Sequence, residues 1–478
     1  MFDELNGSAA PAARTLVSEG ALYAIVDVAQ QALALVSLPI FFFFLTPDDF
    51  GLITIALVLT QVGLTLSTLG LDFSVMRLYY KWPASERGGI LAGVTLFSVG
   101  WSLLLVFGAH VVFGVGGVGG RAYWAMSAGW WAGLALGLRG VPLSVVRVQG
   151  AMRAYAVFVL GGAVTQVVLQ IVLVVERLGP AGYMLGYAVG AGASALVALY
   201  AIRREYTWAG AFWKLPRDTV SFTARVLPSI LFARAVAVSD RVVLAQWSSQ
   251  ETLGVYGAAS RFTTPIKFLS GGFKLALAPL MSRQEHSGTL DAEFGRLSQF
   301  LVLGMLLVGA LVAAGTWLVQ LTPWADNSRD MQRLVGLLLV AQFLSGLMFL
   351  GQVRLYYSPR PGSASIAAGI NAAVLFGGLM WLVPRTGATG AALAGVISGA
   401  AGLVAVIALA FLATGRVREW YRLLLLLGTF LPCVAGAWLL QRSGQMAVFL
   451  VSATAYAAAL FISARAFKRA ALQETPGP

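Results

Sequence analysis

Residues 51–71 read GLITIALVLTQVGLTLSTLGL, a run with no charged side chain. At a rise of ~1.5 Å per residue, such a run covers the ~30 Å hydrocarbon core of a bilayer as one α-helix. Similar runs recur along the chain of 478 residues, of which 58% are hydrophobic and 11% charged, with a mean hydropathy of +0.80. A soluble protein of this size needs more surface charge, so the sequence predicts an all-α polytopic membrane protein.

Fourteen apolar runs are long enough to be predicted as membrane-spanning helices. They are 20–45, 51–71, 89–113, 122–142, 155–175, 182–201, 220–247, 254–280, 297–320, 332–353, 363–383, 388–412, 421–440 and 445–466. Residues 1–19 are polar and acidic and the first run is long, which does not match a cleavable signal peptide.

The lysines and arginines predict the orientation, because the cytoplasmic loops of membrane proteins are enriched in them. With a cytoplasmic N-terminus, only six of the 33 fall in external loops and six lie within spans, while the rest, including Arg139, count as cytoplasmic. We therefore expect a multi-pass membrane protein with both termini in the cytoplasm. This topology also accounts for the net charge of +13, so no nucleic-acid partner is expected.

Other classes of site find little support in the composition. The single cysteine, Cys433, excludes a disulfide framework, and the distant His110 and His286 do not predict a metal site. No Walker-type phosphate loop occurs, so we expect neither direct ATP hydrolysis nor a cofactor.

Two pairs of short motifs predict an internal repeat. The pattern acidic-x-apolar-Gly-apolar-apolar occurs at 48–53 and 251–256, and Gly-x-x-Gly opens 179–183 and 387–391 at a nearly equal offset. Coincidence is the alternative, since glycines near helix ends are common. The repeat predicts six-helix lobes at 20–201 and 220–412, which a cytoplasmic linker at 202–219 joins. The remaining predicted segments are the N-terminal segment 1–19, an additional helix pair at 413–466 and a cytoplasmic tail at 467–478.

The seventh and eighth predicted spans differ from the others because they contain six cations. These are Arg225, Arg234, Arg241, Arg261, Lys267 and Lys274. If the two helices are antiparallel, Arg234 and Lys267 lie near the midplane. The spacing of seven within each helix then predicts two cationic stripes facing one cavity.

A charged side chain at the bilayer centre costs at least ~2.5–3.5 kcal/mol, so the burial of these cations must be compensated by counter-charges or by a ligand. Only Asp240 and Asp27 are candidate counter-charges, too few to neutralise the set. We therefore predict an anionic ligand such as a lipid-linked pyrophosphate. The alternatives are that Arg225 and Lys274 reach the cytoplasmic headgroups, or that Arg241 pairs with Asp240 or reaches the outer interface.

A polar cluster in the first predicted span consists of Asp27, Gln30 and Gln31, with Asp27 and Gln31 on one face. Together with Asp240, these residues are candidates to bind a sugar or a coupling cation in the cavity. The alternative, which applies to Gln61 too, is hydrogen bonding between helices.

Several stretches of the sequence carry a family resemblance. They are Leu45-Thr-Pro-Asp-Asp-Phe-Gly51, Leu69-Gly-Leu-Asp72 followed by Arg77, Ser239-Asp-Arg241 ahead of Glu251-Thr-Leu-Gly-Val-Tyr256, and Ala278-Pro-Leu280. They resemble the oligosaccharide and polysaccharide flippase family of the multidrug/oligosaccharidyl-lipid/polysaccharide exporter superfamily.

The resemblance implies twelve or fourteen helices in two lobes, as in MATE transporters, with alternating access and a central cationic cavity. It also implies a flippase, not an enzyme, that moves undecaprenyl-pyrophosphate-linked oligosaccharide to the periplasmic leaflet of the bacterial inner membrane. The glycan would serve O-antigen, lipopolysaccharide, capsule or exopolysaccharide synthesis. The sequence does not distinguish between these pathways. Expected partners are this lipid-linked oligosaccharide, membrane lipids and other membrane proteins of polysaccharide assembly.

Two alternatives remain open. A multidrug or organic-cation antiporter of the same superfamily should bury acids, whereas this chain buries bases. A polysaccharide polymerase or ligase should have a large external loop with catalytic residues, and the longest one here, about 321–331, is short.

Overall fold

The computed structural model describes residues 25–208, 216–267, 315–356 and 362–414, with further short stretches between 269 and 312. The described residues form helices, and no strand occurs among them. The helices are α1 Ile25–Phe44, α2 Pro47–Thr68, α3 Leu71–Leu78, α4 Ala84–Val115, α5 Gly120–Val148, α6 Met152–Leu173, α7 Gly179–Ala201, α8 Arg217–Trp247, α9 Gln250–Phe262, α10 Ser328–Tyr356 and α11 Gly362–Thr414.

The predicted all-α membrane fold is confirmed. In the described part of the chain, seven stretches are long and apolar enough to cross a membrane. Two of them, Met152–Ala201 and Gly362–Leu412, each combine two predicted spans. The backbone breaks inside these stretches at Arg177 and Gly387, which have positive φ angles of 63° and 58°.

The number of fourteen spans stays a prediction. The described helices begin and end within a few residues of the predicted ones. α9 covers the first part of the predicted eighth span, and residues 271–280 of that span lie outside the described residues. Most of the ninth predicted span, the pair 421–440 and 445–466, and the predicted segments 1–19 and 467–478 lie outside the described residues.

The start of α2 explains one stretch that carried the resemblance. The Thr46 hydroxyl accepts a hydrogen bond from the Asp49 amide at 3.2 Å, and the Asp49 carboxylate accepts one from the Thr46 amide at 3.1 Å. This capping box satisfies two amide groups that the first helical turn leaves without partners. Pro47 lies at the first helical position, where the φ angle fixed by its ring matches that of a helix and favours its start.

Small residues let α2 and α5 approach closely. Gly129, Gly133 and Gly137 are spaced four apart on one face of α5, as in helix pairs that pack within membranes. A Cβ atom on Gly133 would lie 2.3 Å from the carbonyl oxygen of Thr60. The Thr60 hydroxyl donates a hydrogen bond of 2.8 Å to the carbonyl oxygen of Gly129.

The paired motifs adopt matching structures, which supports an internal repeat. Gly179 has φ 57° and ψ −139°, and its predicted counterpart Gly387 has φ 58° and ψ −132°. The other pair, Gly51 and Gly254, are in direct contact where α2 and α9 begin. A Cβ on Gly254 would lie 2.8 Å from the amide nitrogen of Gly51. Glycine is therefore needed at these equivalent positions for close backbone approach.

The chain forms two compact units, the first comprising Met1–Ala258 and Thr322–Trp324, the second Ala259–Leu321 and Ala325–Pro478. The first unit contains α8 and most of α9. The predicted lobes 20–201 and 220–412, with their linker 202–219, stay a prediction. In the first unit, the buried Val145 of α5 and Val159 of α6 belong to the core, and in the second Phe343 of α10 and Val406 of α11 do.

Candidate cationic site

Arg234 is the predicted midplane cation whose surroundings are best defined. Its side chain is half-buried on α8 and reaches the side of α2, where Gln61 and Thr65 lie one helical turn apart. The Nε–H donates a hydrogen bond of 2.9 Å to the Thr65 hydroxyl, and an Nη1–H donates to the Gln61 amide oxygen. The Thr65 hydroxyl in turn donates a hydrogen bond of 2.9 Å to the backbone carbonyl oxygen of Gln61.

These partners hold the guanidinium without neutralising it. A guanidinium has five N–H donors in a planar fork, and two of them are used by Gln61 and Thr65. Within the described residues, no carboxylate forms an ion pair with Arg234. The remaining donors point from a fixed, half-buried cation, which is the geometry that a phosphate or carboxylate oxygen would complete.

Arg225 does not share this environment. Its side chain is exposed, and its Nε–H donates to the carbonyl oxygen of Ser221 on its own helix at 3.1 Å. This geometry fits the alternative in which the side chain extends toward lipid headgroups. Pro228 lies inside α8 between the two arginines and removes one backbone donor from the helix.

Farther along α8, Asp240 binds a neighbouring helix. Its Oδ2 accepts a hydrogen bond of 2.7 Å from the hydroxyl of Tyr256, a fully buried residue of α9. Its Oδ1 accepts one of 2.8 Å from the backbone amide of Arg241. The Arg241 side chain is half-buried. Asp240 is thus committed to a contact that fixes α8 against the start of α9.

The other predicted cations fall into different settings. Arg261 is half-buried in the last turn of α9, and Lys267 is exposed. Lys274 lies outside the described residues. Arg261 and Lys267 belong to the second unit, whereas the three arginines of α8 belong to the first. The arrangement of all six around one cavity stays a prediction.

The polar cluster of α1 includes a hydrogen bond to another helix. The Asp27 Oδ1 accepts a hydrogen bond of 2.7 Å from the hydroxyl of Tyr155 on α6, and that hydroxyl also accepts one from Arg147 of α5. Gln30 and Gln31 are half-buried. For Asp27, the helix–helix contact is therefore present, while a role in binding sugar or a coupling cation stays a prediction.

The family model described as "Polysaccharide biosynthesis protein" matches residues 16–285, more than half of the chain. The chain belongs to this polysaccharide biosynthesis protein family. The matched region includes α8 and α9, the two helices that carry the predicted cations. Comparison with curated protein sequences gives no match.

Solved structures share the fold of this polysaccharide biosynthesis protein. The lipid II flippase MurJ, in an inward closed conformation, superposes with a TM-score of 0.72 at 12% identity, covering 94% of this chain and 99% of that one. A mutant of the Vibrio cholerae MATE transporter VcmN gives a TM-score of 0.53 at 15% identity, covering 87% and 100%. An inward-facing multidrug resistance MATE family transporter of the MOP superfamily gives 0.51 at 16%, covering 85% and 95%.

The structure also adds residues that the sequence pattern did not single out. Arg139, which the topology counted as cytoplasmic, lies within α5 and is half-buried. It donates a hydrogen bond of 3.1 Å to Ser194 of α7, whose hydroxyl donates to the Phe158 carbonyl oxygen at 2.8 Å. The only sequence signal for Arg139 was its position inside the predicted span 122–142. Thr65 carried no signal, because a single threonine in an apolar helix is common.

Proposed function

We propose that this member of the polysaccharide biosynthesis protein family is a flippase for polyprenyl-pyrophosphate-linked oligosaccharide. It would carry undecaprenyl-pyrophosphate-linked glycan from the cytoplasmic to the periplasmic leaflet of the bacterial inner membrane by alternating access. The family and the multi-pass helical fold support transport as the activity. The chemical class of the cargo is inferred from the positive charge of Arg234.

Arg234 is the single observation that carries the cargo assignment. Two neutral side chains fix its guanidinium, and the described residues offer no carboxylate to neutralise it. Retaining an uncompensated cation in an apolar region is unfavourable unless an anionic ligand compensates it for part of the cycle. A pyrophosphate provides several oxygens at the spacing that a guanidinium fork accepts in bidentate fashion.

We propose that four other predicted cations extend this site. Arg241, Arg261, Lys267 and Lys274 would line a cationic cavity with Arg234, and Asp27, Gln30, Gln31 and Asp240 would supply its polar surroundings, whereas the exposed Arg225 would extend toward lipid headgroups. The charge bias of the loops gives the proposed orientation, with cytoplasmic termini. O-antigen, capsule and exopolysaccharide are equally compatible destinations for the glycan.

A reconstituted assay tests the proposal directly. The purified protein is placed in liposomes that contain a fluorescent polyprenyl-pyrophosphate oligosaccharide, and reduction of the dye in the outer leaflet reports translocation. We expect protein-dependent translocation of the pyrophosphate-linked glycan and slow translocation of a neutral polyprenyl glycoside that bears the same sugars. Equal rates for both lipids would refute the role of the cation.

The same liposomes discriminate the antiporter alternative. An organic-cation antiporter would drive uptake of a dye such as ethidium in response to a proton or sodium gradient. It would not translocate the lipid-linked glycan. That pair of results would replace the flippase proposal with multidrug transport.

A further inference from the structure

A three-residue segment between the ninth and tenth predicted spans is packed into the first compact unit. This segment, Thr322–Trp324, belongs to the first unit, although it follows α9 and precedes α10 in the sequence. The chain on either side, up to Leu321 and from Ala325, belongs to the second unit. We name Thr322–Trp324 the strap. It lies in the longest predicted external loop, where the charge bias predicts the periplasmic side.

Trp324 anchors the strap in a socket that the end of α1 and the start of α2 form. Its side chain is 1% exposed, and its ring centroid lies 4.8 Å from that of Phe42 and 4.9 Å from that of Phe50. Its indole N–H donates a hydrogen bond of 2.8 Å to the carbonyl oxygen of Leu45, the residue that follows α1. By contrast, Trp317 on the preceding 3-10 helix is 53% exposed. One buried side chain with a specific partner therefore holds the strap.

The socket for Trp324 is held rigidly within the first unit. The capping box of Thr46 and Asp49 fixes the turn between α1 and α2, which carries the socket. The start of α9 packs against the same turn, since the Gln250 side-chain amide donates a hydrogen bond of 2.8 Å to the backbone carbonyl oxygen of Asp48. Because the socket is fixed, a displacement of the second unit at this end must be absorbed by the strap.

The strap has little length to spare. An extended chain covers at most ~3.3–3.6 Å per residue, so three residues span about 10–11 Å. The Trp324 amide also donates a hydrogen bond of 3.3 Å to the Thr322 hydroxyl, which keeps the strap shorter than this limit. The neighbouring 3-10 helix ends at Leu321 and α10 begins at Ser328, so neither side supplies a long loop. A larger displacement of the second unit therefore requires Trp324 to leave its socket.

We infer that the strap is a latch: Trp324 holds the external end of the transporter closed and leaves its socket when that end opens. Alternating access requires the two predicted lobes to separate at the periplasmic end in each cycle. Leaving the socket exposes an apolar ring and breaks the hydrogen bond to Leu45, so the docked strap favours the closed state. The inference rests on the alternating access of the proposed function, and it is independent of the chemical class of the cargo.

Cysteine labelling tests whether the strap leaves its socket. Cys433, the single native cysteine, is replaced by serine, and Thr322→Cys places a thiol on the buried strap. In nanodiscs, the rate at which a membrane-impermeant maleimide labels this thiol is proportional to the population with the strap undocked. Trp324→Phe removes the indole donor and leaves the Leu45 carbonyl oxygen without its partner, so we expect labelling to become about 5- to 150-fold faster.

Trp317→Phe is the matched control, because Trp317 lies just before the strap but is exposed. It should leave the labelling rate of the strap unchanged. Equal labelling rates with and without Trp324→Phe would overturn the inference. So would a thiol at Thr322→Cys that is labelled as rapidly as one at the exposed Arg329→Cys while Trp324 is intact.

A lengthened strap tests whether docking restrains the external end, and it keeps every contact of Trp324. A short Gly-Ser linker is inserted after Leu321 and another after Ala325. Spin labels at the exposed Asp48→Cys of α2 and Arg329→Cys of α10 report the distance across the external end by double electron–electron resonance. We expect a larger population of long distances than in the unmodified protein, while maleimide labelling of the strap stays slow. An unchanged distance distribution would overturn the latch.

Translocation assays keep this inference separate from the proposed function. The unmodified protein might fail to move the pyrophosphate-linked glycan while Trp324→Phe accelerates labelling and the lengthened strap opens the external end. The flippase proposal then fails and the latch stands. If the glycan is translocated but neither strap variant differs from the unmodified protein, the latch fails and the flippase proposal stands.

Discussion

Replacing Arg234 by glutamine tests the central claim, because glutamine retains a polar side chain beside Gln61 but lacks the charge. The guanidinium uses two donors for Gln61 and Thr65, which leaves enough of the fork for two bonds to a phosphate group. A hydrogen bond to a charged group contributes about 1.5–3 kcal/mol. Two such bonds at the lower limit amount to about 3 kcal/mol, so we expect a loss of about 100-fold in cargo affinity.

The assay compares three variants in the liposomes that contain the fluorescent pyrophosphate-linked glycan. Arg234→Lys keeps a point charge without the planar fork, so we expect a smaller loss than for glutamine. Arg225→Gln is the matched control, since Arg225 is on the same helix, is exposed and bonds only to Ser221 among the described residues. It should change translocation by less than about twofold, in line with the small effect of exposed charges.

A loss of folding must be separated from a loss of binding. Removing Arg234 leaves the Gln61 amide oxygen without its donor, which can cost about 1–3 kcal/mol of stability. Thermal unfolding and membrane accumulation are therefore measured for each variant. Full translocation by Arg234→Gln at normal protein level would refute the reasoning, and so would an equal loss in Arg225→Gln.

Three further predictions concern packing and can be checked by thermal unfolding of the purified variants. Gly133→Val should prevent accumulation of folded protein, because the added Cβ would lie 2.3 Å from a backbone oxygen of α2. Gly161→Ala should be tolerated, because no atom lies within 4 Å of the added Cβ at that position. Equal behaviour of the two variants would contradict the close packing of α2 and α5. Tyr155→Phe removes the hydrogen bond to Asp27 and should lower stability by about 1.5–3 kcal/mol, with unchanged stability as the opposing result. Trp324→Phe removes a 2.8 Å indole hydrogen bond to a buried backbone carbonyl and should cost about 1–3 kcal/mol, so an unchanged unfolding temperature would contradict it.

Hydropathy was sufficient to predict the fold class, because lipid imposes a constraint that each span satisfies locally. The run at 51–71 is an example, since it needs no knowledge of its neighbours to be recognised as a helix. The boundary between the spans 363–383 and 388–412 was predicted in the same way, and the structure places the backbone break at Gly387, where glycine permits a positive φ.

The environment of a side chain could not be predicted in the same way. Arg234 and Lys267 received the same predicted depth, yet one is half-buried against α2 and the other is exposed. That difference depends on which face of each helix meets a neighbour, and two helices of similar hydropathy can be rotated differently.

In the flippase that we propose, the neutral anchoring of Arg234 affects how the cargo is bound and released. An acidic partner would hold the guanidinium equally well, but it would also compete with the cargo phosphate for the same donors. Gln61 and Thr65 restrict the side chain's rotamers while leaving its full charge, so part of the entropy cost of binding is already met in the empty protein. Release from Arg234 then needs only separation of the phosphate from the fixed guanidinium. A transporter that must bind and release in every cycle gains from such a site, because an excessively strong one would trap its cargo.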